Sequence, residues 1–428
     1  MSTARSVTGP CVEAPTALVD EPVGIVVRGC EPNAPVHVTM LVDGAGGIFR
    51  SEATYQADDT GAVDTAVAAS RSGTYLGVDP LGLWWSGDPV GPSTLGPSAP
   101  LTGRLRVETS GGSVEATVER SWLAPGATMT PVDEAGVSGL FARPSGNGPF
   151  PAVVAFAGSG GGLGPAAAWA PVLASHGFAT LAVAYFGAPG VPAELERIEV
   201  EVVERAVGWL GRRNDITPGV AVMGISRGSE LALLAGALLD GVAAVAAFAP
   251  SGVSWGGLGP RGPIDAPAWT FRGEDLPYAP MAPPPPGMDL TGISAPLRLR
   301  PLFEAALAAY PDAIDAAEIP VERIRGPVFL VSGGSDAMWP STEMADIAVR
   351  RAAEHDFAHS MIHLRYPDGG HTCFGVPGTP VVVDSGPHPV TGGIYAFGGT
   401  RAANAAARAD CWPRLLDFLA AALPVPPG

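Results

Sequence analysis

Five residues carry the sharpest chemical signal in this chain: Gly224-Ile225-Ser226-Arg227-Gly228, directly after the apolar run Val220 to Met223 and directly before a helical pattern from Leu231 to Leu239. A serine between a strand and a helix, with a glycine two residues to either side, fits a strained turn that exposes the hydroxyl, because the glycines relieve the crowding the turn creates. In a chain with 57 glycines the bare pattern could equally be a tight turn without chemistry. The strand and helix in the right places favour a nucleophile.

A serine hydroxyl attacks poorly at neutral pH, so it needs a base and the base needs an orienting acid, expected downstream in the order acid, then histidine. Asp336 stands just past the apolar run Val328 to Ser332, and His371 just past Met361 to Tyr366, 110 and then 35 residues further on. Both positions suit loops at the carboxyl edge of a sheet. Asp368 is a competing acid, but three residues before His371 in one loop it reads better as a turn aspartate. His363 falls in a strand, His388 in a Pro-Gly loop, and His355 and His359 at the end of an acidic helix. Solvated or core positions account for all four. The spacing of His355, His359 and His363 invites a metal, yet no HExxH accompanies it and its last member belongs to a strand, so no metal is expected. A tetrahedral oxyanion requires two aimed donors. The backbone N–H of Arg227 is one, and the second is expected from the glycine loop Gly158-Ser159-Gly160-Gly161-Gly162, from the N–H of Ser159 or Gly160. That loop lacks the lysine of a phosphate cradle, and no cofactor is expected.

Elements able to hold these groups follow from the hydrophobic pattern. Ala152 to Phe156, Ala179 to Tyr185, Val220 to Met223, Val242 to Phe248, Val328 to Ser332 and Met361 to Tyr366 are predicted strands. They alternate with helical patterns over Ala193 to Arg213, Leu231 to Leu239, Thr342 to Glu354 and Ala402 to Leu423. Such alternation predicts a mostly parallel sheet covered on both faces. Between residues 251 and 301 the rhythm breaks into a Pro-rich insertion that includes Pro283 to Pro286, expected as a lid or surface excursion. Before residue 122 only short β-rich runs with turn signals occur, which predicts a small antiparallel sandwich over 1–121. Residues 122–136 read as a linker and 137–428 as the catalytic domain.

Composition narrows the partners. The net charge is −17, and all 25 basic residues are arginine. A field of that sign repels phosphate backbones, so nucleic acid is not an expected partner. No apolar stretch approaches the roughly 20 residues a membrane span needs, and the first ten residues lack a leader's apolar core. A cytoplasmic protein acting on a small molecule is the expectation. Cys11, Cys30, Cys373 and Cys411 form no disulfide framework or zinc spacing; free thiols are expected, with a Cys11–Cys30 bridge open in an oxidising compartment.

Several strings, in order along nearly the whole chain, resemble the acyl-CoA thioesterase and bile acid-CoA:amino acid N-acyltransferase family. In the N-terminal part they are Val19-Asp20-Glu21-Pro22-Val23, Ala53-Thr54-Tyr55 and the stretch Gly73 to Trp84. In the C-terminal part they are Gly158 to Leu163, Tyr185-Phe186-Gly187, Gly224 to Glu230, Ile319-Pro320-Val321-Glu322 and Asp336 to Ser341. The resemblance implies an immunoglobulin-like sandwich followed by an α/β-hydrolase domain. It assigns Ser226 as nucleophile, Asp336 as acid and His371 as base in the hydrolysis of acyl-CoA, or a related acyl thioester or ester. Amino-acid-conjugating members of that family use cysteine as nucleophile, so Ser226 favours water over an amine; an N-acyltransferase is the alternative, and a catalytically dead binding protein is disfavoured by the full set of three groups. The sequence ends Pro-Val-Pro-Pro-Gly, from which no peroxisomal targeting is expected.

Overall fold

The computed structural model of the protein describes residues 10–44, 46–95, 99–284, 288, 295–382 and 386–424. The chain divides into two compact units, one formed by the residues up to Leu123 with Val376–Val381, the other by Ala124–Gly375 and the residues from Val382 onward.

In the first unit the alternating pattern produces sheet. Pro35–Gly44 and Gly47–Gln56 pair antiparallel along their whole length, and Leu101–Thr109 and Gly112–Ser121 extend the sheet on the far side of Pro35–Gly44. Every second side chain is buried, with Val36, Val38, Met40 and Val42 on the inner face, as a half-buried strand requires. Cys11–Glu13, Val26–Arg28 and Val63–Asp64 form a second, three-stranded antiparallel sheet. All four cysteines are free thiols. Val376–Val381 joins this unit through the Val381 N–H, which donates to Trp85 O at 3.1 Å.

The second unit is built on eight strands: β1 (Thr128–Glu134), β2 (Val137–Arg143), β3 (Phe150–Phe156), β4 (Ala179–Val183), β5 (Ile216–Ile225), β6 (Val242–Phe248), β7 (Val328–Gly333) and β8 (Met361–Tyr366). Their spatial order is β1-β2-β4-β3-β5-β6-β7-β8. β1 and β2 are antiparallel to their neighbours, and every pairing from β4 onward is parallel. This is the strand order of an α/β-hydrolase sheet. Val153, Val154, Val222, Val245 and Leu330 are completely buried, which is why the central strands read as continuous apolar runs and not as alternating ones. The helices are α1 (Ala166–Ser175), α2 (Glu201–Gly211), α3 (Arg227–Leu238), α4 (Arg300–Ala309), α5 (Pro311–Ala317), α6 (Ser341–Glu354) and α7 (Arg401–Ala422). None among the described residues is long and apolar enough to cross a membrane.

Three expectations need correction. The linker expected over 122–136 contains a strand: β1 lies inside it, paired residue for residue with β2, because Pro131 and the turn at Gly136 permit an edge hairpin. The helix expected over Ala193 to Arg213 begins only at Glu201; upstream, Leu195 bridges Leu258, and Ile198–Glu199 pairs with Trp269–Phe271. Side-chain spacing there was helical, but backbone partners from the insertion took the N–H groups. Finally, α1 escaped prediction, since Ala166–Ser175 carries Pro171 in its interior, is buried on nearly every side and has no polar face to show a period.

The described residues of the insertion, expected as a lid or a surface excursion, are not a surface excursion. Gly256–Gly259 and Gly262–Pro267 form a hairpin, Trp269–Phe271 a further strand, and Trp255 and Trp269 are buried. Pro285 and Pro286 of the proline run lie outside the described residues.

Candidate active site

Ser226 occupies the turn between β5 and α3, with φ 56° and ψ −123°, a conformation that side-chain-bearing residues avoid. The neighbouring backbone leaves no alternative to glycine at either flank. A Cβ on Gly224 would lie 2.0 Å from Gly228 O, and one on Gly228 would lie 2.2 Å from Ala157 O. Hydrogen bonds fix the turn: Ser226 N–H donates to Phe248 O at 2.8 Å, and Ser229 Oγ donates to Ser226 O at 2.6 Å.

Asp336 and His371 are brought together, His371 Nδ1 lying 2.9 Å from Asp336 Oδ2. Both are buried. Asp336 Oδ1 accepts from the backbone N–H groups of Met338 (2.8 Å) and Trp339 (3.3 Å), so both carboxylate oxygens are engaged. The histidine loop is clamped from α7, where Asn404 Oδ1 accepts from Gly370 N–H at 2.7 Å and Arg408 Nε donates to Thr372 O at 3.0 Å, and from the segment before it, where Phe397 O accepts from His371 N–H at 2.8 Å. Asp368 is exposed and bonds to neither, which fits a turn aspartate. Ser226 Oγ makes no hydrogen bond to His371 here; catalytic hydrogen bonds are commonly open before substrate binds.

The donors expected for an oxyanion are unoccupied. Among the described residues, the backbone N–H groups of Arg227, Ser159 and Gly160 have no acceptor, whereas Gly161 and Gly162 spend theirs on Gly158 O and Phe186 O. Arg227 opens α3, where the first-turn N–H groups and the helix dipole favour negative charge. Tyr185 Oη ties the glycine loop down by donating to Ala157 O (3.0 Å) and Gly158 O (3.2 Å).

Ser226 faces a cavity of about 340 Å³, walled chiefly by apolar side chains that include Trp255, Leu302, Phe303, Met338 and Trp339. Its roof comes from the insertion, and sequence reading missed what holds that roof. The Arg227 side chain is buried and donates from Nη2 to Trp255 O (3.0 Å) and Gly256 O (2.8 Å). Its Nη1 pairs at 2.8 Å with buried Glu230, which accepts from Trp269 Nε1 at 2.9 Å. Burial pushes the Glu230 carboxyl up to about 7, against the pull of the Arg227 guanidinium. A charged pair at i and i+3 directly after Ser226 was the only available signal.

His388, expected in a Pro-Gly loop at a solvated or core position, is buried there; beyond that expectation it lines the cavity and meets Ser159 Oγ through Nε2 at 2.9 Å. His363 is a structural residue, 2.7 Å from Ser332 Oγ through Nε2, with its pKa lowered to about 4 mainly by burial. No group of metal-ligating side chains occurs among the described residues.

Residues 20–134 match the acyl-CoA thioester hydrolase/BAAT N-terminal region and residues 300–424 the BAAT/acyl-CoA thioester hydrolase C-terminal region. The chain is 31% identical over 418 residues to a Mus musculus peroxisomal succinyl-coenzyme A thioesterase, covering 93% of each chain. It is 30% identical over 422 residues to Homo sapiens acyl-coenzyme A thioesterase 1, again covering 93% of each. A dienelactone hydrolase-like promiscuous phosphotriesterase from metagenomic libraries aligns at a TM-score of 0.39 and 15% identity, over 69% of this chain and 98% of that one.

Proposed function

The chain belongs to the acyl-CoA thioester hydrolase/BAAT family, and from that premise we propose that it is a serine hydrolase cleaving acyl-CoA thioesters to free acid and coenzyme A. Ser226 is the nucleophile, His371 the base and Asp336 the orienting acid. The observation that carries the reading is the strained Ser226 turn opening into an apolar cavity, with a buried His–Asp couple at 2.9 Å in the same unit.

In the proposed reaction His371 takes the Ser226 proton as Oγ attacks the thioester carbonyl. Asp336 holds the proton on His371 Nδ1, so Nε2 is free to accept. The oxyanion settles against the N–H of Arg227 and that of Ser159 or Gly160. Coenzyme A leaves as a thiol, which with a reference pKa of ~8.5 needs far less help than an amine. Water, activated by His371, then releases the acid. The two separate sheets of the first unit support an immunoglobulin-like reading of it, and we take the catalytic domain to start at about β1. Measuring coenzyme A release over a series of acyl-CoA chain lengths, with the acyl product identified by mass spectrometry with and without amines, tests the reading. Saturable release of free acid is expected; no release from any acyl-CoA would overturn it.

The apolar wall suits a hydrophobic acyl chain, while coenzyme A is a polyanion approaching a protein of net charge −17. Arg261, in the turn of the insertion hairpin, is exposed at the cavity and has no ion-pair partner among the described residues. Arg261→Glu is therefore expected to raise KM for an acyl-CoA on the order of tenfold, while leaving KM for an uncharged p-nitrophenyl ester of the same acid nearly unchanged. Equal effects on both substrates would remove Arg261 from coenzyme A recognition.

A further inference from the structure

Ser159 and His388 meet across 229 residues of chain, and the steps above use neither side chain. The direction of their bond is set at the other ring nitrogen. Thr391 N–H points at His388 Nδ1 from 3.3 Å, and an N–H can only donate, so Nδ1 holds a lone pair. Burial, with His371 nearby, lowers the pKa of His388 to about 4, so the ring is neutral at working pH. A neutral ring with a bare Nδ1 carries its proton on Nε2, and that proton is donated to Ser159 Oγ. Serine then accepts in this bond and keeps its own hydrogen available. Among the described residues Ser159 Oγ has no other partner.

The location of that hydrogen matters. Ser159 and Ser226 line the same cavity. The residue before Ser159 runs alongside the nucleophile, since a Cβ on Gly158 would be 3.1 Å from Ser226 Cβ and 3.7 Å from Ser226 Oγ. We propose that the Ser159 hydroxyl, turned by the His388 Nε2–H, is a third donor to the oxyanion formed when Ser226 attacks. As the Oγ–C bond forms, the carbonyl π pair moves onto oxygen and the Ser226 proton passes to His371. The Ser159 proton stays on its own oxygen and tightens its hydrogen bond to the new charge. His388 is a positioning residue. It is not a second base, because the nitrogen facing Ser159 is already protonated. The inference rests on Ser226 being the nucleophile.

The test combines steady-state kinetics with two inhibitors of matched acyl chain: a coenzyme A thioether lacking the carbonyl, and a trifluoromethyl ketone that adds a serine to give an anionic tetrahedral adduct. Ser159→Ala is expected to lower kcat on the order of 10²-fold with KM within about twofold, as when one oxyanion donor is lost. The ketone should weaken by a similar factor and the thioether should not. Ser159→Thr, which keeps a hydroxyl, should recover most of the rate. His388→Ala should lose about tenfold, and His388→Gln, whose amide N–H can donate at the same place, should regain most of it. Parental kcat in Ser159→Ala, or equal weakening of thioether and ketone, would overturn the proposal. His388→Gln as impaired as His388→Ala would overturn the positioning role; should His388→Ala fail to fold, the Ser159 variants and the inhibitor pair still decide. Failure of the underlying reading has a different signature: Ser226→Ala retaining parental turnover, which would overturn both.

Discussion

Ser226→Ala is expected to lower kcat for acyl-CoA hydrolysis on the order of 10⁴- to 10⁶-fold, with the protein folded and its melting temperature close to the parent's. The size follows from covalent catalysis: without Oγ no acyl-enzyme forms, and what remains is substrate binding and a pair of idle N–H donors. Folding should survive because Ser226 is tied to its neighbours by backbone groups, through its N–H to Phe248 O and its carbonyl oxygen to Ser229, and alanine keeps both. A fluorophosphonate probe gives the direct measurement. The parent should be labelled and the variant should not; equal labelling of both would take Ser226 out of the mechanism.

Asp336→Asn is expected to cost on the order of 10⁴-fold in kcat, and the hydrogen bonds of this site give the reason. Asp336 Oδ1 accepts from the N–H groups of Met338 and Trp339. An asparagine must present its carbonyl oxygen there, which turns its NH2 toward His371 Nδ1. That nitrogen must then accept, the proton moves to Nε2, and the histidine can no longer take the Ser226 proton. Asp368→Asn, at an exposed position, is expected to leave kcat within about twofold. Comparing the two variants by steady-state kinetics checks the assignment, and the reverse ranking would make Asp368 the acid.

The contrast between these carboxylates shows how far local pattern reaches. Asp336 is preferred to Asp368 without a structure because Asp368 shares one short loop with His371, three residues before it, whereas Asp336 ends a separate apolar run. The end of an apolar run likewise points to Ser226 and His371. Strand β6 was legible end to end, since Val242–Phe248 is apolar throughout and lies in the middle of the sheet. Where burial reaches nearly every side, as in α1, or where a neighbour's backbone captures a helical-looking stretch, as at Leu195 and Ile198, the pattern loses its meaning.

The sequence by itself determined the glycine-flanked turn at Ser226, the order and spacing of Asp336 and His371, and the succession of strands that a parallel sheet requires. The turn and the strands are written in short windows, by continuous apolar runs and by a glycine two residues to either side of the serine, and the order of Asp336 and His371 follows from the runs they end. Tertiary structure alone decided that buried Arg227 and Glu230 fasten the insertion as a roof over Ser226, and that His388 reaches Ser159. Those meetings join residues 25 to 229 positions apart. They depend on how loops fold back over the sheet and on which buried polar groups find partners, because a polar group withdrawn from water must be paired by whatever the rest of the chain brings to it.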